Sequence, residues 1–200
     1  MSVLYSLHRY LRTRQAAKAV NAQNLVALER ALYLGADPDG VAKRCERGYR
    51  GKYQHMLHVA IEKRWHEGLR VLLEAGANTE IRGGINLATP LFLAATLRDI
   101  PSMMLLAKRG ADPHGLGWAV DQQALDKIME IVGWDYPSQG SLVSVREMTV
   151  EELVEYEFRN NPEGLDALEV ARTHHGIQTT AQALEQETPD VQRISAKARL

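Results

Sequence analysis

Apolar positions along this chain return in short blocks, and three of those blocks end on nearly the same tripeptide. Leu28 to Leu34 runs into Gly35-Ala36-Asp37, Leu69 to Ala75 into Gly76-Ala77-Asn78, and Met103 to Arg109 into Gly110-Ala111-Asp112. The glycines stand 41 and 34 residues apart. A second match lies upstream of each block. Thr89-Pro90-Leu91-Phe92-Leu93-Ala94-Ala95 precedes the third, His55-Met56-Leu57-His58-Val59-Ala60-Ile61 the second, and Arg14-Gln15-Ala16-Ala17-Lys18-Ala19-Val20 the first. Self-similarity at a period of 20 to 50 residues is the mark of a stacked repeat.

Local chemistry turns each unit into two helices. Thr89 caps a helix that has Pro90 in its first turn, where a missing N–H costs nothing. Ala94 and Ala95 leave room for a neighbouring helix. Asp99 is expected to cap the second helix, with Pro101 just inside it. Gly110 ends that helix in a left-handed conformation that glycine adopts at little steric cost. Such a pair cannot bury its apolar face alone, so neighbours must stack.

The Thr-Pro-Leu opening and Gly-Ala-Asp close resemble the ankyrin repeat. The likeness covers roughly residues 14–114, and weakly 166–187, where Asp166 to Arg172 and His175-Gly176 resemble a terminal capping unit. It departs from the family pattern at Arg14 and His55, which stand where the opening Thr belongs, and at Arg64 and Arg98, which stand where a Gly often separates the helices. The resemblance implies an all-α ankyrin-repeat solenoid of helix-turn-helix units with a long finger insertion and a degenerate C-terminal part. It forms one domain over 1–187, with repeats at about 14–40, 55–82 and 89–115, a degenerate unit at 119–163 and a cap at 166–187. The 41-residue spacing places the insertion, a long hairpin finger, within Asp39 to Gln54. In the degenerate unit, Ala119 to Val132 has helical spacing, Gly133 to Ser144 reads as a loop, and Thr149 with Glu152 forms a capping box that opens a helix to about Phe158. Asn160 to Gly164 breaks it. The polar tail, 188–200, is expected to be flexible.

Bulk properties narrow the function. Of 200 residues, 45% are hydrophobic and 24% charged, an ordinary globular balance, and the 6% aromatic content makes the core aliphatic. The net charge of −1 disfavours nucleic acid as a partner. The lone Cys45 rules out an internal disulfide and fits a reducing, intracellular setting, cytoplasmic or nuclear. The most apolar stretch, Ile85 to Leu97, is too short and too interrupted to span a membrane, and Met1 to Arg14 lacks a signal core.

In the family the fingertips and inner helices meet the partner. Carried onto this chain, that implies a protein-binding surface of Tyr49, Arg50, Lys52, Tyr53 and Gln54 on the first finger. Glu62, Lys63 and Trp65 on the inner helix and the turn after it follow, then Ile85 and Asn86 on the second finger, and Leu97 after the next inner helix. Tyr, Trp and Arg dominate binding hot spots. Lys43, Arg44, Arg47, Arg50 and Lys52 make the finger basic, and Glu147, Glu151, Glu152, Glu155 and Glu157 form an acidic counterpart. His55, His58 and Glu62 share one helical face, but His58 occupies the family's turn-ordering histidine slot and no third strong ligand stands at motif spacing. No catalytic residue, metal or cofactor is assigned. The alternative is an enzyme or small-molecule binder with a pocket in the concave groove around Tyr53, His55 and His58.

Overall fold

The structure is a computed structural model that describes residues 2–44, 53–84, 87–120, 145–159 and 161–197. It is mostly helical. In chain order the described elements are α1 (Ser2–Asn21), α2 (Leu25–Tyr33), β1 (Val41–Arg44), β2 (Tyr53–His55), α3 (Met56–Glu62), α4 (His66–Glu74), α5 (Pro90–Thr96), α6 (Ile100–Lys108), β3 (Leu116–Val120), β4 (Val145–Thr149), α7 (Val150–Glu157) and α8 (Pro162–Lys197). The helices stack in two rows. One runs α1, α3, α5, α7 and the other α2, α4, α6, α8, each helix packed on the next in its row and on its partner in the pair.

The same backbone recurs pair by pair. The residue between paired helices is left-handed without being glycine: Gln23, Arg64 and Arg98 all have φ of 51°. Backbone bonds close each of these turns identically, Asn24 N to Ala19 O, Trp65 N to Ala60 O and Asp99 N to Ala94 O, all 2.9 Å. Gly35, Gly76 and Gly110 end the second helices at φ of 90°, 83° and 77°. Two bonds explain the tripeptide's polar third position. Its carboxylate or amide accepts the N–H two residues on, from Asp39, Glu80 and His114 at 3.1, 2.9 and 2.8 Å. Its own N–H is donated backward to the preceding unit: Asn78 to Asp39 at 2.7 Å and Asp112 to Glu80 at 2.9 Å. In the first pair, Asp37 N donates to Thr13 Oγ1 at 2.9 Å.

Between the rows lies a core of Ala, Leu, Val, Ile and Met, with Phe92 and Phe158 its largest fully buried side chains. Alanines set the spacing: Ala16, Ala60, Ala94, Ala95 and Ala107 are completely buried. Two glycines admit the phenylalanines, since a methyl at Gly117 would overlap Phe92 and one at Gly164 would overlap Phe158.

The structure departs from the sequence expectations in five places. The first helix starts at Ser2, well before residue 14. Ala119 and Val120 belong to β3, which pairs antiparallel with β4 from Leu116↔Thr149 to Val120↔Val145, so no helix opens at Ala119. The rest of the expected helix and loop, 121–144, lies outside the described residues. Thr149 and Glu152 do form the capping box of α7. That helix pairs with α8 across a short turn, so the degenerate unit and the cap are two halves of one helix pair. Asp99 occupies the N-cap of α6 without capping it: its buried carboxylate instead accepts Ser102 Oγ at 2.6 Å and His66 Nε2 at 2.8 Å from the preceding pair. The last departure is α8, which continues past Thr188 to Lys197.

Gly76 tests the left-handed turn without steric interference, because a Cβ there would meet nothing within 4 Å. Gly76→Ala is expected to cost about 1–2 kcal/mol from backbone conformation alone. Thermal unfolding should show it as a drop in Tm of a few degrees; an unchanged Tm would mean the turn relaxes.

Candidate binding groove

Between α1 and the first finger lies a groove of about 410 Å³, lined by Tyr10, Thr13, Arg14, Val41, Ala42, Lys43 and Tyr53. Helical spacing brings Tyr10, Thr13 and Arg14 to one side of α1. The finger strands supply the opposite wall. They pair antiparallel, Lys43↔Gln54 and Arg44↔Tyr53, with an irregularity between Val41 and Lys43. Several bonds fix them to the helices. Asn21 Nδ2 donates to Ala42 O at 3.0 Å, Met56 N to Gly40 O at 3.1 Å, and the His55 Nδ1–H to Asp39 O at 2.8 Å. The finger also joins its neighbour, since Gly84 N donates to Tyr53 O at 2.8 Å.

The groove is aromatic and cationic. Tyr10 is 62% exposed and Tyr53 44%, large amphipathic rings left in solvent. Helix α1 carries Arg9, Arg12, Arg14 and Lys18 and no acidic residue. Arg9 pairs with Asp37 at 3.1 Å and Arg12 donates to Leu34 O, whereas Arg14 has neither an ion pair nor a hydrogen bond among the described residues. Lys43 is exposed beside it.

The described residues expected at the partner surface divide four ways. Tyr53 lines the groove. Glu62 and Lys63 are exposed at the end of α3. The Glu62 carboxyl end nonetheless lies against the protein, where it accepts the Gln54 amide, and burial raises its pKa against the opposing pull of Lys43, that amide and Lys63. Gln54 and Trp65 require correction. Gln54 is 3% exposed and Trp65 8%, so neither offers surface to a partner. Trp65 packs its ring over Gly68, where a methyl would overlap it. Leu97 is partly buried against the core, and its carbonyl accepts Arg64 Nη2 at 2.9 Å. Tyr49, Arg50, Lys52, Ile85 and Asn86 lie outside the described residues, as does Cys45. Sequence reasoning missed Tyr10 and Arg14 as groove residues because it began the first unit at Arg14; their i, i+4 spacing was the available signal.

His55 and His58 stand with ring centroids 5.9 Å apart, yet neither lines the groove. His58 is fully buried and its Nε2–H donates to Ala88 O at 2.9 Å, tying α3 to the second finger. Its Nδ1 has no partner among the described residues. Burial lowers its pKa to about 4; the bond to Ala88 opposes that and nearby His55 adds to it. The imidazole is therefore neutral at pH 7 and serves as a structural tie. No group of three metal-ligating side chains occurs among the described residues. Nor is any described helix long and apolar enough to cross a membrane.

A scan of protein-family models gives no match to this chain, and no curated protein matches its sequence.

The buried histidine makes stability depend on pH. A base whose folded pKa lies below its unfolded value destabilises the fold as pH drops, because the unfolded chain takes up the proton first. His58 should remove about 3 kcal/mol between pH 7 and pH 4. Urea unfolding of the native chain and of His58→Gln at both pH values isolates this contribution: the fall should be smaller by that amount in the variant, and equal falls would exclude it.

Proposed function

We propose that this chain is an ankyrin-type repeat module that holds a protein partner against the groove between its first helix and first finger. The repeat reading draws support from the turns at Gln23, Arg64 and Arg98 and the glycines at Gly35, Gly76 and Gly110, which keep the same 41- and 34-residue spacing. It also draws support from His58, whose bond to the neighbouring finger is the role the family's histidine plays. The observation that carries the binding reading is the convergence of exposed Tyr10 and Tyr53 with the cations Arg14 and Lys43 around one groove. These side-chain types gain most from burial at an interface, combining area with hydrogen bonding. A stacked scaffold holds them in place beforehand, so little ordering entropy is lost when a partner docks. The lone cysteine fits an intracellular, reducing setting for such a module.

The test is capture from a native lysate with mass spectrometry, using the intact chain, Tyr10→Ala and Tyr53→Ala. A protein retained by the intact chain should bind each variant roughly tenfold more weakly or worse, while thermal melts stay unchanged. Trp65→Ala should instead lose about 3–5 kcal/mol of stability, as a large ring removed from a packed site does. Recovering nothing, or a partner indifferent to both tyrosines, would overturn this reading.

A further inference from the structure

The repeat register identifies which side chains face the neighbouring pair, and at the two ends of the stack those positions carry opposite charge. Position by position, Gln15 corresponds to Met56, Pro90 and Val150, and Lys18 to Val59, Leu93 and Leu153; the 41- and 34-residue spacing sets the register of the first three pairs, and the first residue of α7 that of the fourth. On the outer row Arg30 corresponds to Val71, Leu105 and Ala167, counting from the caps Asn24, Trp65, Asp99 and Asn161. In the later pairs Met56, Val59, Val150, Leu153 and Ala167 are buried at these positions and Val71, Leu93 and Leu105 partly so, as a side covered by the preceding pair would be. In the first pair the same positions hold an amide and two cations, all exposed. They line an open groove of about 1010 Å³ built from α1, α2, the turn between them and Leu34 just beyond α2, which also exposes Val26, 74% accessible.

The far end mirrors this with carboxylates. Glu151 corresponds to Leu57 and Leu91, Glu155 to Ile61 and Ala95, and Glu169 to Leu73 and Ala107. All six counterparts are buried against the following pair. Glu155 and Glu169 are 63% and 72% exposed at their side chains. One guanidinium, Arg172, reaches all three carboxylates, at 2.8, 3.2 and 3.6 Å, and leaves the face net negative. Leu165, in the register of buried Leu69 and Met103, adds an apolar centre that is 37% exposed.

We propose that the first helix pair of one molecule docks on the last helix pair of a second copy, continuing the stack head to tail. The spacing that sets one pair on the next inside the chain would place Lys18 opposite Glu151 and Glu155. It would also place Arg30 opposite Leu165 and Glu169. Opposite charges then meet at both rows, with Val26 brought against Leu165. A head-to-tail contact of this kind is heterologous, so it extends into a chain of molecules instead of closing as a symmetric dimer. Its charged pairs lie at partly exposed positions and are screened by salt.

Sedimentation velocity on the intact chain tests this across a wide concentration range at about 0.05 and 0.5 M salt, where the screening length falls from roughly 14 to 4 Å. The average mass should climb with concentration at low salt and return to the monomer at high salt. Two variants, Lys18→Glu/Arg30→Glu and Glu155→Lys/Glu169→Lys, should each stay monomeric alone, because both ends then carry one sign. Mixed together they should associate again, since each supplies the charge the other lacks. A native chain that stays monomeric at every concentration in low salt overturns the proposal and leaves the end faces as solvated caps. A native dimer of fixed size overturns it as well, and so does failure of the mixture to associate. Circular dichroism of each variant establishes that it is folded. Partner capture through Tyr10 and Tyr53 is a separate readout, so either result stands whatever the other gives.

Discussion

Each helix pair in the middle of this chain is apolar on two opposite sides, and nothing within the pair covers either side. Leu57 and Ile61 need the pair that follows, whereas Met56 and Val59 need the pair that precedes. Coverage by neighbours is therefore the constraint from which the architecture follows. It fixes the row order, and it favours alanine where inner helices approach closely. It also makes the turns repeat, because a pair can sit on its neighbour only if its two helices leave the turn at the same angle. Gln23, Arg64 and Arg98 accept a left-handed conformation at that point. Their cost, of order 1–2 kcal/mol each, is offset by the packing that the turn permits.

Polar contacts between pairs then set the register that packing alone would leave loose. The N–H groups of Asn78 and Asp112 reach back to Asp39 and Glu80, His66 reaches forward to Asp99, and His58 reaches the second finger at Ala88. Asp99 and His58 are buried, and buried polar groups are costly unless bonded, so these two contacts penalise a slipped arrangement more than they stabilise the native one. His58 shows the other side of that rule. Its Nε2–H is bonded to Ala88, but the ring is fully buried and Nδ1 is left without a partner among the described residues.

The same constraint separates the groove from the rest of the surface. A side chain covered by a neighbouring pair cannot also serve a partner, which removes Trp65 and Gln54 from the binding surface even though their residue types suggested it. Tyr10 and Tyr53 remain because they stand beyond the stacked rows, one on the long first helix and one on the finger. Charge at the two ends follows from position too: where a neighbour would have been, apolar residues give way to Gln15, Lys18 and Arg30 at one end and to Glu151, Glu155 and Glu169 at the other.

Much of this was legible in the chain itself. Gly-Ala-Asp/Asn at 41 and 34 residues, Thr89-Pro90 and the Thr149–Glu152 box are local signals, because caps and left-handed turns are decided by a few adjacent residues. They located the helix ends and the order of pairs. Burial was not legible, since it depends on which residue from a distant segment arrives to cover a side chain. Hence Trp65 and Gln54 read as surface, and Asp99 read as a cap before His66 and Ser102 claimed its carboxylate. Strand β3 was hidden for the same reason. Ala119 and Val120 have helical spacing in the sequence, and only pairing with Val145 and Arg146, far along the chain, makes them extended. Short-range chemistry determined the turns of the first three pairs and the start of α7; long-range contact decided which side chains were left for solvent, and so for a partner.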